Sequence, residues 1–384
     1  MHQNPEYDYI VTGGGCAGLS FIIRVLNEPA LQDKTILLIE QEDKNLNDRT
    51  WCFWEHEDDI FESVVSKDWT AAWFHAKGYS SLKQLHPYKY KMIRGIDFYD
   101  HCYNIIKSSD RVELCHEKVL SIENIDDAVS VITDGSAYKA SFVFNSILFA
   151  PPALLKTNYH LLQHFKGWVI ETEESCFNIK EATLMDFRVN QDVGTTFVYV
   201  MPFSEKSALV EYTLFSHEQL KDEEYDDGLR NYISTFLGIK SFHIKEEEFG
   251  VIPMTDFDFP KSNGRIINIG TAGGQTKPSS GYTFKFIQKH SAALVNELKQ
   301  SGQPYIEQGF LVRRFMWYDK VLLHMLHFNK MPGARIFSLL FKRNKIGRIF
   351  KFLDNETSIF DELYLLNTLP QLPFMKAGFR ELTK

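Results

Sequence analysis

Long apolar runs are absent from this sequence of 384 residues. No eighteen consecutive residues are apolar, and no basic stretch followed by an apolar run opens the chain. A membrane-spanning helix needs about twenty apolar residues, and a signal peptide needs the basic and apolar pair of segments. We therefore expect neither, and we expect any contact with a membrane to be made from one side.

Cysteine is scarce, and its spacing is irregular. The five cysteines are odd in number and scattered along the chain: Cys16, Cys52, Cys102, Cys115 and Cys176. Disulfide frameworks and zinc sites need paired or regularly spaced cysteines, so neither is expected and no metal is predicted. A reducing, cytoplasmic environment fits this usage.

Aromatic residues, by contrast, are abundant. The chain has 31 Phe and 17 Tyr, which indicates apolar cavities or apolar partners. Its length exceeds that of one ordinary core and predicts two or so closely joined domains, with room to bury a cofactor.

Positive charge is concentrated in one segment, Gly309–Phe352, called the basic segment below. Ten Lys or Arg there stand against one acid, giving +9, so the remainder must carry −17 to reach the total of −8. Eight Phe or Trp residues accompany the charge. The segment fits helices that dock on an anionic lipid surface, or core helices with a solvated basic face. On the first interpretation the protein is cytoplasmic and peripherally associated with the inner face of the membrane. Nucleic acid is not an expected partner, because the whole chain is acidic and has no recognition motif.

The N-terminal sequence YDYIVTGGGCAGLSFIIRVL predicts a strand, a glycine turn and a helix. Gly13 permits the tight turn, Gly15 lets the backbone approach a pyrophosphate, and Gly18 allows close packing of helix and strand. A second strand, TILLIE, ends in Glu40, where an acid meets the ribose hydroxyls of an adenosine. This order of elements predicts a dinucleotide-binding fold whose cofactor contacts are Gly13, Gly14, Gly15, Ala17, Gly18 and Glu40.

A second strand–turn–helix element occurs late in the chain, at Gly264–His290. Its sequence, GRIINIGTAGGQTKPSSGYTFKFIQKH, predicts a strand from Arg265 to Ile269 and a helix that opens near Gly281. Such a returning element closes the FAD domain of glutathione-reductase-type proteins over the ribityl chain and the flavin, so it favours FAD over NAD. Gly270 and Gly281 are expected to contact the cofactor.

Strands of another domain are predicted between the two glycine elements. TTFVYVMPF and SALVEYTLF are separated by a short turn and predict a hairpin of an antiparallel sheet. We therefore predict an α/β fold with three parts: a glutathione-reductase-type FAD-binding Rossmann domain (residues 1–55, 92–155 and 262–300), an antiparallel-sheet substrate domain (residues 56–91 and 156–261), and a helical, membrane-facing C-terminal region (residues 301–384).

The predicted strand SALVEYTLF carries an acid, Glu211, in its middle. A carboxylate taken out of water is costly unless it is paired, hydrogen-bonded or protonated. Two interpretations stay open from the strand alone. Glu211 lies on a solvated face or pairs with a base, or it is a buried acid with a chemical use.

Four motifs together carry a resemblance to a known family: DRTWCFWE (Asp48–Glu55), MDFR (Met185–Arg188), EFGVIPM (Glu248–Met254) and GTAGGQTKPSSGYTF (Gly270–Phe284). With these motifs the chain resembles the lycopene cyclase family, the FAD-dependent carotenoid cyclases. The similarity covers nearly the whole chain, including FLDNETS and LPFMKA near its end.

The essential carboxylate of that family lies in an acidic motif of the form Phe-Leu-Glu-Glu-Thr. The stretch Leu-Val-Glu-Tyr-Thr in this chain is similar to it, with Glu211 at the first glutamate and Tyr212 at the second. The tyrosine at the second glutamate position excludes a two-carboxylate mechanism at this motif, so Glu211 is expected to act alone.

The resemblance implies an acid-catalysed, redox-neutral cyclisation of the linear ends of lycopene or a related linear carotene to β-ionone rings. β-Carotene would form by way of γ-carotene. Glu211 would donate the proton to a terminal double bond, and burial among apolar side chains would raise its pKa as this requires. Aromatic faces stabilise a cation without trapping it, and the candidates are Trp51, Phe53, Trp54 and Tyr212. Each of the four also fits an ordinary core position.

The resemblance further implies FAD in its reduced form, with NADPH as the reductant. The reduced ring would stabilise the cation or help to move the proton, and both roles stay open. Arg49 joins the expected cofactor contacts. Hydroxylases of the same architecture carry Asp after the glycine of the late strand, whereas this chain has Thr271 there, which favours a non-oxidative reaction.

Two other classes of function stay open. A flavin-dependent monooxygenase or polyprenyl reductase of the same fold would consume NADPH in proportion to product. A carotenoid- or lipid-binding protein would convert nothing, although the glycine turns and Glu211 favour an enzyme. Ring type, the number of ends closed and protein partners also stay open.

Overall fold

The computed structural model describes residues 6–307 and 309–383. Residues 1–5, 308 and 384, which belong to the predicted ranges 1–55 and 301–384, lie outside the described residues.

The described part of the chain forms eighteen strands and nine α-helices. The strands are β1 (Glu6–Thr12), β2 (Ile36–Ile39), β3 (Thr50–Glu55), β4 (Lys67–Trp69), β5 (Ala71–Ala76), β6 (Tyr79–Gln84), β7 (Lys89–Arg94), β8 (Val112–Cys115), β9 (Val119–Ile125), β10 (Ala128–Thr133), β11 (Ala137–Asn145), β12 (His160–Glu171), β13 (Glu181–Asp186), β14 (Thr195–Pro202), β15 (Ser207–Ser216), β16 (His243–Thr255), β17 (Ser262–Asn263) and β18 (Ile266–Asn268). The helices are α1 (Cys16–Asn27), α2 (Gly95–Lys107), α3 (Asp222–Thr235), α4 (Phe284–Ser301), α5 (Phe310–His327), α6 (Gly333–Arg343), α7 (Ile346–Leu353), α8 (Ile359–Asn367) and α9 (Gln371–Leu382).

The first sheet has eight strands, and its main path runs β17-β18-β11-β1-β2-β8. β1 pairs in parallel with β11 and β2, and β2 pairs in parallel with β8. All four residues of β2 are buried, as a parallel strand covered on both faces requires. The predicted strand–turn–helix–strand unit is confirmed as β1, α1 and β2, and α4 packs beside α1. This sheet with its helices is the Rossmann domain of the predicted fold class.

The second sheet has seven strands in the order β16-β12-β15-β14-β13-β5-β6. Its neighbours pair antiparallel except β13 and β5, which are parallel. The predicted hairpin is confirmed, because β14 and β15 pair antiparallel along their whole length. This sheet is the antiparallel sheet of the predicted fold class.

The two faces of β15 have different surroundings, because successive side chains of a strand point to opposite sides. Val210, Tyr212 and Leu214 pack on α3. Leu209 and Phe215 point the other way and enter the largest core of the protein. Glu211 shares the sheet face of Leu209 and Phe215.

A small third sheet, β3-β7-β4, joins the two larger units. Its strand β3 contributes Phe53 to the core of the Rossmann domain and Trp54 to the largest core. The predicted boundary between residues 91 and 92 therefore falls inside β7, whose strand partners are β3 and β4.

The C-terminal helices close the second sheet on the face of Glu211. α6 packs on β14 and β5, while α5 packs on α9 and β12. Four aromatic residues of the basic segment are buried: Phe315, Phe337, Phe341 and Phe350. Their burial favours the interpretation of the basic segment as core helices with a solvated basic face. None of the helices in the described part of the chain has the length and apolarity that a bilayer crossing demands.

Candidate active site

The glycine turn between β1 and α1 leaves an open space at the start of the helix. Gly13 has φ +96°, in the left-handed region that favours glycine. A Cβ on Gly18 would lie 2.1 Å from the carbonyl oxygen of Gly13, so only glycine lets α1 approach the turn. A Cβ on Gly15 would meet no atom of the described residues within 4 Å. The open space lies at the N-terminus of α1, where backbone N–H groups attract an anion.

Glu40 lies beside this turn, at the end of β2. Its buried carboxylate accepts hydrogen bonds from the backbone N–H groups of Gly14 (2.6 Å) and Glu42 (3.0 Å). The hydroxyl of Tyr103 is buried next to Gly14 and finds no hydrogen-bond partner among the described residues. An acid and an unpartnered hydroxyl beside an open helix N-terminus fit the ribose and pyrophosphate of a dinucleotide.

The late glycine element returns to the same helix. Gly270 follows β18, and a Cβ on it would lie 2.8 Å from the Cβ of Ala17 in α1, so the structure brings these two predicted contacts together. At Gly281 a Cβ would lie 2.3 Å from the Oε1 atom of Gln163 on β12, which places this glycine against the second sheet. The Arg49 side chain is exposed and donates to the carbonyl oxygen of Asp48 (2.7 Å).

Four residues lie side by side across the second sheet: Glu248 on β16, Gly167 on β12, Glu211 on β15 and Tyr199 on β14. Side chains in such a row share one face of the sheet. A Cβ on Gly167 would lie 2.9 Å from the Cγ atom of Glu248. The missing side chain at Gly167 therefore leaves the space in which Glu248 approaches Glu211, and the two carboxyl groups lie close enough to act on each other's pKa.

Each glutamate of this half-buried pair also accepts a hydrogen bond from a threonine hydroxyl. Thr213 donates to Oε1 of Glu211 (2.7 Å), and Thr50 on β3 donates to Oε2 of Glu248 (3.0 Å). Burial raises the pKa of Glu211 well above its usual value, and the charge of Glu248 raises it further. Burial also raises the pKa of Glu248. The prediction that Glu211 stands alone is therefore wrong, because the second carboxylate comes from a distant strand.

Sequence reasoning missed four polar groups near the pair: Cys52 on β3, Tyr90 on β7, Tyr199 on β14 and Tyr282 before α4. These four groups lie close enough to one another and to Glu211 to act on one another's pKa, and the Cys52 thiol donates to Sδ of Met201 (3.3 Å). Burial raises the pKa of all four groups, so that they stay neutral at physiological pH. Cys52 lies in the motif DRTWCFWE, and Tyr282 lies in the motif GTAGGQTKPSSGYTF. Successive side chains of β3 point to opposite sides of the strand, and this alternation was the signal that could have shown which residues share a face with Cys52.

The four predicted cation-stabilising aromatics lie in three places. Trp54 lies in the largest core, edge-on to Tyr282 with ring centroids 4.6 Å apart. Trp51 and Phe53 point to the other side of β3 and pack against the core of the Rossmann domain. Tyr212 packs on α3, on the sheet face opposite to Glu211. The structure therefore brings one of the four, Trp54, into contact with Tyr282, which in turn lies near Glu211.

All five cysteines are free thiols, and one of them, Cys176, is exposed. Within the described ranges, no three His, Cys, Asp or Glu side chains converge in a way that could hold a metal ion.

A sequence model of one protein family, described as lycopene cyclase protein, matches residues 8–378. The chain belongs to the lycopene cyclase family. The match includes both glycine elements, the row Glu248–Gly167–Glu211–Tyr199 and the C-terminal helices.

Several curated proteins are similar to the chain at low identity. Lycopene beta cyclase, chloroplastic, of Solanum lycopersicum is 27% identical, with 81% of this chain and 64% of that protein covered. Neoxanthin synthase, chloroplastic, of Solanum tuberosum is 24% identical, with 82% of this chain and 64% of that protein covered. The chain thus spans less than two thirds of the length of these plant relatives. The lycopene beta-cyclase of Pseudescherichia vulneris is 23% identical, and 96% of each chain is covered.

Solved structures share the fold of this lycopene cyclase family member. The flavin-dependent brominase Bmp2 matches with a TM-score of 0.67 at 11% identity, over 94% of this chain and 97% of that one. HpxO of Klebsiella pneumoniae, complexed with FAD and uric acid, matches with a TM-score of 0.65 at 13% identity, over 91% and 96%. A geranylgeranyl bacteriochlorophyll reductase-like protein of Thermoplasma acidophilum matches with a TM-score of 0.57 at 12% identity, over 99% of this chain and 96% of that one. These likenesses show the FAD-binding Rossmann-type fold.

Proposed function

We propose that the chain is a lycopene β-cyclase that closes the linear ends of lycopene, or of a related linear carotene, to β-ionone rings with no net redox change. The observation that carries this proposal is the carboxyl of Glu211, which lies beside Glu248 in the row across the second sheet and whose pKa is raised well above its usual value by burial and by the charge of Glu248, which favours the protonated acid. A proton donor of this kind is what the protonation of an alkene requires. Family membership and the relatives named lycopene beta cyclase add support.

The proposed reaction begins and ends at Glu211. The O–H bond of its carboxyl breaks as a C–H bond forms at the terminal double bond, which leaves a tertiary cation. A neighbouring alkene of the same chain closes the six-membered ring and carries the positive charge into it. Loss of a ring proton to the Glu211 carboxylate then forms the ring double bond and restores the acid. No atom or electron is gained or lost overall.

The walls around Glu211 suit a short-lived cation. Tyr199 and Tyr282 offer aromatic rings and neutral hydroxyl groups. Burial raises the pKa of the Cys52 thiol, and a thiol is a far weaker nucleophile than a thiolate. Neither these rings nor the Cys52 thiol is therefore a strong nucleophile toward the cation.

We further propose that FAD binds in its reduced form, with NADPH as the reductant. Gly13, Gly15 and the N-terminus of α1 would hold its pyrophosphate, while Glu40 and Tyr103 would meet the adenosine ribose. When bound, the reduced flavin would supply negative charge near the cation or a route for the proton. The late element at Gly270 would close over it.

The same proposal places the protein at the inner face of the membrane, because a linear carotene is dissolved among acyl chains. Exposed apolar side chains are frequent on two successive helices, and together we call them the α8–α9 apolar face: Ile359, Phe360, Leu363 and Tyr364 on α8, and Leu372, Met375, Phe379 and Leu382 on α9. Exposed cations accompany it, among them Lys376 and Arg380 on α9. This pattern is typical of helices that lie on an anionic lipid surface. The face replaces the buried aromatics of the basic segment as the proposed contact.

The test compares the wild-type protein with Glu211→Gln, assayed anaerobically with reduced FAD and lycopene. Glutamine keeps the size and most hydrogen bonds but has no transferable proton, so cyclisation should fall by at least ~10²-fold. Bound flavin and thermal stability should not change. A Glu211→Gln protein with near-normal activity would refute the role of Glu211. Consumption of NADPH in proportion to product would instead identify a monooxygenase or reductase.

A further inference from the structure

We propose that Glu248 is the positioning residue of this reaction: its carboxylate holds the transferable proton on Glu211 and drives that proton back from the ring after closure. This inference rests on the proposed function of Glu211. Glu248 acts through Glu211, from the far side of Gly167, and needs no contact of its own with the carotene.

Each glutamate accepts a hydrogen bond from a threonine hydroxyl, Glu211 from Thr213 (2.7 Å) and Glu248 from Thr50 (3.0 Å). Burial and the neighbouring charge therefore decide which glutamate carries the proton. Glu211 has the more strongly raised pKa, because burial and the neighbouring negative charge act in the same direction. The proton therefore lies on Glu211, and Glu248 is its ionised neighbour.

The same arrangement returns the proton. When the O–H bond of Glu211 breaks and the new C–H bond forms, two carboxylates face each other across Gly167. Two such charges in a half-buried place repel strongly, and one of them must regain a proton. The ring cation is the available acid, so the C–H bond next to its charge breaks and the O–H bond of Glu211 forms again. Glu248 thus makes one residue serve as acid and then as base.

Other titratable groups near the pair do not interfere with a pH measurement. Cys52, Tyr90, Tyr199 and Tyr282 face Glu211 from four elements, and burial raises the pKa of each above its usual value. Glu246 is exposed on the same strand as Glu248 and adds negative charge to it. Between about pH 5 and pH 9 the alkaline limb of the activity profile therefore reports the pair.

The key variant is Glu248→Gln, which keeps the shape of the side chain but removes its charge. A carboxylic acid is active below its pKa and loses its proton as the pH rises through it. Because the charge of Glu248 raises the pKa of Glu211, its removal should move the alkaline limb of kcat to lower pH by about 1–3 units. Activity lost at neutral pH should return in acid buffer, and KM for lycopene should not change.

A matched control is Glu247→Gln, the next residue on β16, which points to the other face and lies 3.7 Å from Lys166. It should keep the wild-type profile. Thr50→Val removes the hydroxyl that donates to Glu248 and should shift the limb in the same direction, toward lower pH but by less, because a Glu248 that is less ionised raises the pKa of Glu211 less. A shift of that sign keeps the inference testable if Glu248→Gln does not fold.

The outcomes separate this inference from the proposed function. If Glu211→Gln is inactive and Glu248→Gln keeps the wild-type pH profile and kcat, then Glu211 is the acid and the role of Glu248 is wrong. If Glu211→Gln is active, the proposed function itself fails. A loss of kcat in Glu248→Gln with no shift of the alkaline limb would also overturn the inference, because a merely structural glutamate gives that result.

Discussion

Gly15 and Gly18 have different tasks in the nucleotide turn, and substitution separates them. A side chain at Gly18 would strike the backbone of Gly13, whereas a side chain at Gly15 would enter open space. Gly15→Val should therefore fold with a melting temperature near that of the wild type but lose FAD, because the valine occupies the place of the pyrophosphate. Flavin absorbance of the purified protein measures this, and Gly18→Val, which should unfold, is the comparison. Normal flavin content in Gly15→Val would remove the turn from the proposed site.

Individual residues also show what the sequence could and could not predict. The acid in the middle of a buried strand directed attention to Glu211, but the family motif directed it to the adjacent Tyr212, which strand alternation turns to the opposite face. The true neighbour, Glu248, lies across a glycine in the register of three strands. Such pairing joins residues far apart in the chain, so local pattern alone does not predict it.

Helices α8 and α9 provide a prediction at the scale of an element. Vesicles that contain anionic lipid should sediment the wild-type protein, and added salt should weaken this, because each Lys or Arg near such a surface contributes about 1 kcal/mol that salt screens. Leu372→Ser should reduce the bound fraction, because it removes an apolar side chain that is 72% exposed.

The control for that measurement is Leu46→Ser, since Leu46 is also 72% exposed but lies in the loop between β2 and β3. It should bind vesicles as the wild type does. Equal binding by both variants and the wild type, or indifference to anionic lipid, would mean that the α8–α9 apolar face does not contact the bilayer.

Elements with local signals were predicted well. The turn between β14 and β15 and the strand–turn–helix at β1 and α1 were read from adjacent residues, and both are confirmed. The surroundings of the basic segment were harder to predict. Helical spacing shows that a helix has an apolar side and a polar side, but it does not show whether the apolar side packs on the protein core or on another surface. Its aromatics Phe337 and Phe341 fill the core against the second sheet, and the exposed apolar side chains lie further along the chain.

The whole molecule brings together parts that are distant in sequence. The prediction that the early and late glycine elements belong to one domain agrees with the contact of Gly270 and Ala17, while the exact ranges of the domains stay a prediction. The boundary inside β7 illustrates the reason. The three-stranded sheet is shared by two cores, and no linker lies at its edge. The amino-acid composition around β7 therefore gives no signal for a domain boundary.

The central claim is that this chain cyclises lycopene, and the most direct measurement is the pigment content of lycopene-accumulating cells that express it. With the wild-type chain we predict β-carotene, an isomer of lycopene with the same mass, and with Glu211→Gln we predict lycopene. Unchanged lycopene in cells that contain folded, flavin-loaded wild-type protein would contradict the account, and so would a product whose mass shows added oxygen or hydrogen.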